Sequence, residues 1–203
     1  MDLDQSGRAR QHRFDVEDVL SKALAMFLEL GFLGSSISQL TEAMGIARPS
    51  LYQAFGNKEG LFRAAMKLHH HRRLNCVLSA LKKPQFPLVI EHLIKATQQK
   101  SPISTSCSPL SEFALGGPPA IMREAFAREQ NIHGVISQRV AKAQMDGEID
   151  RSINPDALAA SLVAINDSIA LRIRAGGTPE EVALLVEASK SLTSCTKQRA
   201  DAL

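Results

Sequence analysis

Residues 31–62 read GFLGSSISQLTEAMGIARPSLYQAFGNKEGLF, and the order of start and stop signals along this stretch decides the fold. Ser36 followed by Gln39 is a capping-box pattern that opens a short helix through Leu40, Ala43 and Met44, and Gly45 closes it. A second short helix begins at once. Pro49 sits in its first turn, where a missing N–H costs nothing; Leu51 and Phe55 form an i, i+4 apolar pair; Gly56 ends it. Two short helices about a tight glycine turn predict a helix-turn-helix. Leu51, Ala54 and Phe55 are expected to cluster on the buried side of the second helix. That leaves Pro49 and Gln53 facing out, flanked by Ser50 and Tyr52, with Arg48 at the exposed N-terminal end.

Working outward, a polar arm of residues 1–13 carries Arg8, Arg10 and Arg13, and Asp15 then caps a helix with Val19, Leu20, Ala23, Leu24 and Phe27 at helical spacing. Gly31 stops that helix. On the other side Asn57 caps a long helix from about Lys58 to Leu81. Its apolar stripe changes face at His69-His70-His71-Arg72-Arg73, as expected of a helix shared by two cores. The boundary is therefore placed inside it, giving an N-terminal unit of residues 14–68 and a second unit of residues 69–203. Helices are also predicted beyond Pro87 to about Lys100, from about Pro119 to Met145, from Asn154-Pro155, and from Thr178-Pro179. The SPISTSCSPLSEF and GGPP segments break them apart. The fold class is all-α, an N-terminal helix-turn-helix followed by a larger helical domain.

Composition narrows the class of function. The chain has 203 residues, 44% of them hydrophobic, enough for a core of its own. No apolar run reaches membrane-span length, and the start MDLDQSGRARQHR lacks the apolar region of a signal peptide, so a cytoplasmic protein with no membrane partner is expected. Cys76, Cys107 and Cys195 are widely spaced, which suggests neither a disulfide framework nor a metal knuckle. The net charge of +3 is uneven: residues 61–100 hold 8 Lys/Arg against 1 Asp/Glu, while the segments on either side are net acidic. No G-x-S-x-G, phosphate loop or H-E-x-x-H occurs, so neither a catalytic site nor a cofactor is expected. A metal site at His69, His70 and His71 is disfavoured, because consecutive helical residues face different directions.

With Gly31, the Ser35/Ser36 start, the Gly45-Ile46 turn, Leu51-Tyr52, Phe55 and Asn57-Lys58-Glu59 in place, residues 14–68 resemble the DNA-binding domain of the TetR/AcrR transcriptional regulators. Ala47 departs from the Ser or Thr that usually caps the recognition helix there. The resemblance implies a homodimer that binds a palindromic double-stranded DNA operator and responds to a small-molecule effector. The chemistry of the side chains agrees. Gln53 can pair with adenine, Arg48 with guanine, and Pro49 can touch a thymine methyl, so Arg48, Pro49, Ser50 and Gln53 are the expected base contacts. Ser36, Ser38, Tyr52 and Lys58, at helix starts, are the expected phosphate contacts, and Arg8, Arg10 and Arg13 the expected minor-groove arm.

For the second domain, Leu158, Leu162, Ile165 and Ile169 form a narrow apolar seam beside the small Ala157, Ala160 and Ala164. With Val182, Leu185 and Val186 of the last helix, that seam is the expected subunit interface. Phe86, Cys107, Phe113, Met122, Phe126 and Ile165 are the expected lining of an effector pocket, with Cys107 a candidate sensor of electrophiles or oxidants. Two rivals stand beside this reading: a helical enzyme acting on a small molecule with a vestigial helix-turn-helix, and a protein-interaction adaptor.

Overall fold

A computed structural model describes residues 15–98 and 116–194; Arg8, Arg10, Arg13, Cys107 and Phe113 lie outside them. Eight helices make up the described chain: α1 (Val16–Gly34), α2 (Ile37–Met44), α3 (Arg48–Phe55), α4 (Lys58–Leu81), α5 (Phe86–Gln98), α6 (Pro119–Met145), α7 (Pro155–Arg174) and α8 (Pro179–Ser194). The capping signals act where they stand in the sequence. Asp15 accepts from the Glu17 N–H at 2.9 Å, and Asn57 from the Gly60 N–H at 2.8 Å. Ser36 and Gln39 close the reciprocal box: the Gln39 N–H reaches Ser36 Oγ at 3.2 Å and the Ser36 N–H reaches Gln39 Oε1 at 2.9 Å. Gly45 turns the chain between α2 and α3 at φ 67°, ψ 30°, a left-handed conformation that only glycine adopts without strain. Gly31 breaks the helical path of α1 at φ 72° and leaves one further turn before α2.

Two hydrophobic cores divide inside α4, between Met66 and Val77. The first joins Val19, Leu24 and Phe27 of α1 to Leu40 and Met44 of α2, Leu51 of α3 and Leu61, Phe62 and Met66 of α4. An aromatic cluster stiffens it: the Phe62 ring lies edge-on to Phe27 at 4.9 Å and tilted against Phe32 at 5.1 Å. This unit is not closed within residues 14–68. Ile121 and Met122, from the first turn of α6, are buried in the same core, a long-range insertion that local periodicity does not reveal.

The second core packs α5 and α7 against the C-terminal half of α4, α6 and α8. Here most of the residues expected at the subunit interface face inward. Leu158, Leu162, Ile169 and Val182 are buried in the core of a single chain, and Ile165, Leu185 and Val186 pack partly buried against it. A helix with a neighbour on both sides carries two apolar faces, and the larger residues of α7 turn inward. The face left outside bears Ala157, Ala160, Ala164 and Leu171 of α7, with Ala183, Leu184 and Ala188 of α8. No helix among the described residues is long and apolar enough to cross a membrane.

Candidate nucleic-acid interface and effector cavity

The helix-turn-helix presents α3 from a rigid base. Leu51 is buried and Phe55 half-buried, which anchors the helix, while Arg48, Pro49, Tyr52 and Gln53 form one continuous exposed face and Ser50 lies half-buried at its edge. Ala54, expected on the buried side, is exposed: a three-residue step puts it on the opposite flank of Leu51 from Phe55, and the core lies toward Phe55. Ala47 gives no side-chain hydrogen bond at the start of α3. Instead Arg48 Nη2 donates to the Ser38 hydroxyl across the turn, so an expected base contact and an expected phosphate contact hold each other. A side chain docked in this way is preorganised near its own helix start rather than free in solvent.

The remaining expected phosphate contacts border this face differently. Ser36 is exposed at the start of α2, where its hydroxyl is occupied by the capping box. Lys58, at the start of α4, is half-buried with its Nζ 4.5 Å from the centre of the Phe32 ring, and burial lowers its pKa from the ordinary lysine value. Sequence reading passed over the tie that fixes the base itself. Arg72 of α4 donates to Glu17 and to the Ser21 hydroxyl of α1, both at 2.8 Å. Its only sequence signal is a cation near the point where the α4 stripe changes face.

In the second domain α4, α5, α6 and α7 line a pocket that is partly open to solvent. Its walls include Val77, Leu93, Ile132 and Ile136, and its polar groups are Arg73, Cys76, Thr97 and Asn166. The Thr97 hydroxyl donates to Asn166 Oδ1 at 2.6 Å, tying α5 to α7 across it. Apolar walls with a few convergent polar groups are what a small-molecule site requires.

The expected lining is largely corrected. Phe86 is buried beneath the Arg139 guanidinium, 5.5 Å from its ring; Met122 belongs to the N-terminal core; Phe126 is on the surface. Ile165 borders an adjoining apolar pocket with Ile90, Ile94, Ile169 and Ser189. The missed residues carried a signal. Arg73, Thr97 and Asn166 are polar residues at inward helical positions, where a buried polar group calls for partners.

Arg73 is the hub of this region. With its side chain only 6% exposed, it reaches Glu129 Oε2 of α6 through Nη1 at 2.8 Å and Asp167 Oδ1 of α7 through Nη2 at 3.2 Å. Burial raises the Glu129 pKa and Asp167 adds to the rise, while Arg73 opposes it. The histidine run presents three environments: His69 is buried, His70 half-buried and His71 exposed.

A sequence model described as bacterial regulatory proteins, tetR family, matches residues 19–65. The chain is 28% identical over 189 residues to the HTH-type transcriptional repressor ComR of Escherichia coli (strain K12), with 88% of each chain covered. The HTH-type transcriptional repressor BdcR of the same organism is 45% identical over 53 residues, 26% of this chain and 27% of that one. Among solved structures, a cysteine-substituted form of the regulator CifR, complexed with 26-bp double-strand operator DNA, aligns with a TM-score of 0.70 at 26% identity. The alignment covers 90% of this chain and 98% of that one. A regulator from Cytophaga hutchinsonii shares the fold at a TM-score of 0.76 and 18% identity, over 97% of this chain and 98% of its own.

Proposed function

We propose that the chain is a ligand-responsive transcriptional repressor of the TetR family, whose α3 reads a palindromic operator in the major groove. The observation that carries this reading is the exposed Arg48–Pro49–Tyr52–Gln53 face, held on a core that buries Leu51. Arg48, Pro49, Ser50 and Gln53 meet base edges; Ser36, Ser38, Tyr52 and Lys58 meet phosphates. That ComR and BdcR are repressors and that CifR is bound to operator DNA supports the assignment. As a DNA-binding protein it works in the cytoplasm.

Two copies are needed to place two recognition helices on one palindrome. We assign the dimer contact to the outward face of α7 and α8. Leu171 is 58% and Leu184 72% exposed there, beside alanines small enough for close helix approach. The effector occupies the cavity around Thr97 and Asn166, without turnover.

The test is binding to the DNA just upstream of the protein's own coding region, titrated with random-sequence competitor and salt. Saturable binding that survives a large excess of competitor is expected. Gln53→Ala should weaken it by about 1–3 kcal/mol, the worth of a good bidentate base contact. An unchanged affinity in Gln53→Ala, or binding that competitor removes as readily as any other DNA, would end the assignment of α3 as reader.

A further inference from the structure

Where the two cores meet, α4 and α6 cross over a second, polar pocket that is partly open to solvent, bordered by Met66, His70, Arg73, Ala125, Arg128 and Glu129. It is separate from the effector cavity, although Arg73 borders both. Arg128 shapes its chemistry. Its Nε and Nη2 are shielded from solvent and donate to no protein acceptor, while Nη1 turns toward Glu124 Oε2 at 3.7 Å. Nε–H and Nη2–H lie along one edge of the guanidinium, the edge that grips a carboxylate or phosphate with two parallel hydrogen bonds. Buried donors without acceptors are costly, more so when the group is charged, so an arrangement that leaves both open calls for an acceptor from outside the chain.

The surroundings favour a negative one. Burial, together with the charges of Arg128 and Arg73 and of His71, lowers the His70 pKa, the response of a base in a positive field. Arg73 is engaged by Glu129 and Asp167, which leaves the positive charge of Arg128 the less compensated. We propose that this cavity is an anion site that takes a small oxyanion, carboxylate in size and shape, held by the side-on edge of Arg128 and backed by His70. The site is set in the joint between the domains, so its occupant ties α6 to α4 next to Met66 of the N-terminal core. The assignment does not depend on the DNA reading.

Glu129 gives the site a pH dependence. Its Oε1 borders the cavity without a donor, and burial has already moved its pKa upward. An incoming anion is repelled by the carboxylate and accepted once Glu129 carries a proton. The groups facing this point are Glu124, Arg128, Glu129 and His133 on α6, His69, His70, His71 and Arg73 on α4, and Asp167 on α7. As pH falls, protonation of Glu129, and then of His70, strengthens anion binding.

The probe is sodium acetate, titrated into the full-length protein at constant ionic strength against chloride, with heat of binding and thermal midpoint as readouts. Saturable binding that tightens as pH falls is expected, weakened about tenfold or more in Arg128→Gln, which loses the charge-assisted pair. Arg128→Lys keeps the charge without the fork and should also bind more weakly; it serves as the readout if Arg128→Gln does not fold. Inorganic phosphate as competitor separates the sources: displacement of acetate extends the site to phosphorylated ligands, and its failure restricts the site to carboxylates. Acetate binding that never saturates, or that is as tight in both variants as in the unsubstituted chain, overturns the proposal and leaves the cavity to an ordered water.

Discussion

Arg73→Met tests whether the buried charge cluster holds the second domain together. The substitution keeps the length and most of the apolar stem of the side chain, and removes the guanidinium that pairs with Glu129 at 2.8 Å and Asp167 at 3.2 Å. Both carboxylate side chains are 11% exposed, so water cannot replace the lost partner. Breaking a buried pair while leaving its counter-charge in place costs about 3–5 kcal/mol. That is a large share of the roughly 5–15 kcal/mol that holds a domain folded. For a chain of this size each kcal/mol moves the thermal midpoint by about 2–4 °C, so a fall of about 6–20 °C is expected. The assay is urea unfolding followed by far-ultraviolet circular dichroism at neutral pH. Two controls fix the cause. Lys22→Ala removes a contact just as short, 2.7 Å to Asp18, but both side chains are about half exposed and the loss should be only about 0.3–0.5 kcal/mol. Adding Glu129→Gln and Asp167→Asn to Arg73→Met should restore part of the stability. A loss below about 1 kcal/mol in Arg73→Met, or no rescue by the neutral pair, would refute the reasoning.

Gly117→Ala should destabilise the first core: its Cβ would stand 2.5 Å from Phe62 Cε1 and 2.8 Å from Met122 Sδ, and overpacking of this kind costs about 1–3 kcal/mol, read as a lower urea midpoint. Because the folded pKa of Glu129 is raised, the folded chain holds more protons than the unfolded one from about pH 4 upward, and stability falls as pH rises through the folded value. Glu129→Gln should remove that slope, measured as urea midpoints across a pH series; an unchanged slope would assign it to another group. Leu184→Glu, on a side chain 72% exposed in the single chain, should yield well-folded monomers by light scattering, and a dimer that survives would move the interface off this face of α8.

The helix-turn-helix was legible because each of its devices is local. Ser36, Gln39, Gly45, Pro49 and Asn57 act within four residues of where they stand, so a linear reading finds them. The cavity proposed for the effector was not legible because it is assembled from four helices. Phe86 and Met122 are large and apolar, as pocket residues often are, but which large residue fills a core and which borders a void depends on how the helices cross. The inward turn of the α7 seam was hidden for a related reason. Periodicity separates one face from another and does not say which is covered by the same chain; Leu158 and Leu162 went inward, and the alanines were left outside. Thr97 and Asn166 show what the pattern did offer, since a polar residue at an inward position must find a partner.

The route from cavity to DNA surface is short in contacts. Arg73 borders the cavity proposed for the effector and grips Glu129 of α6. Two turns earlier on the same helix Met122 and Ile121 sit inside the N-terminal core with Phe62, and Arg63 of α4 holds Glu124 of α6 at 3.1 Å between these points. Phe62 in turn packs on Phe27 of α1 and on Phe32, whose ring carries Lys58. A ligand that wedges α6 away from α4 is expected to move Met122, because the first core is tight beside Phe62: a methyl group at Gly117 would collide there. The expected response is a tilt of the N-terminal unit with α6, which keeps Ile121 and Met122 buried. Within a dimer such a tilt changes the spacing of the two α3 helices, which a fixed operator tolerates poorly. Coupling of this kind is worth about 1–3 kcal/mol, a 5–150-fold change in operator affinity, and it runs both ways, so bound operator must weaken effector binding by the same factor.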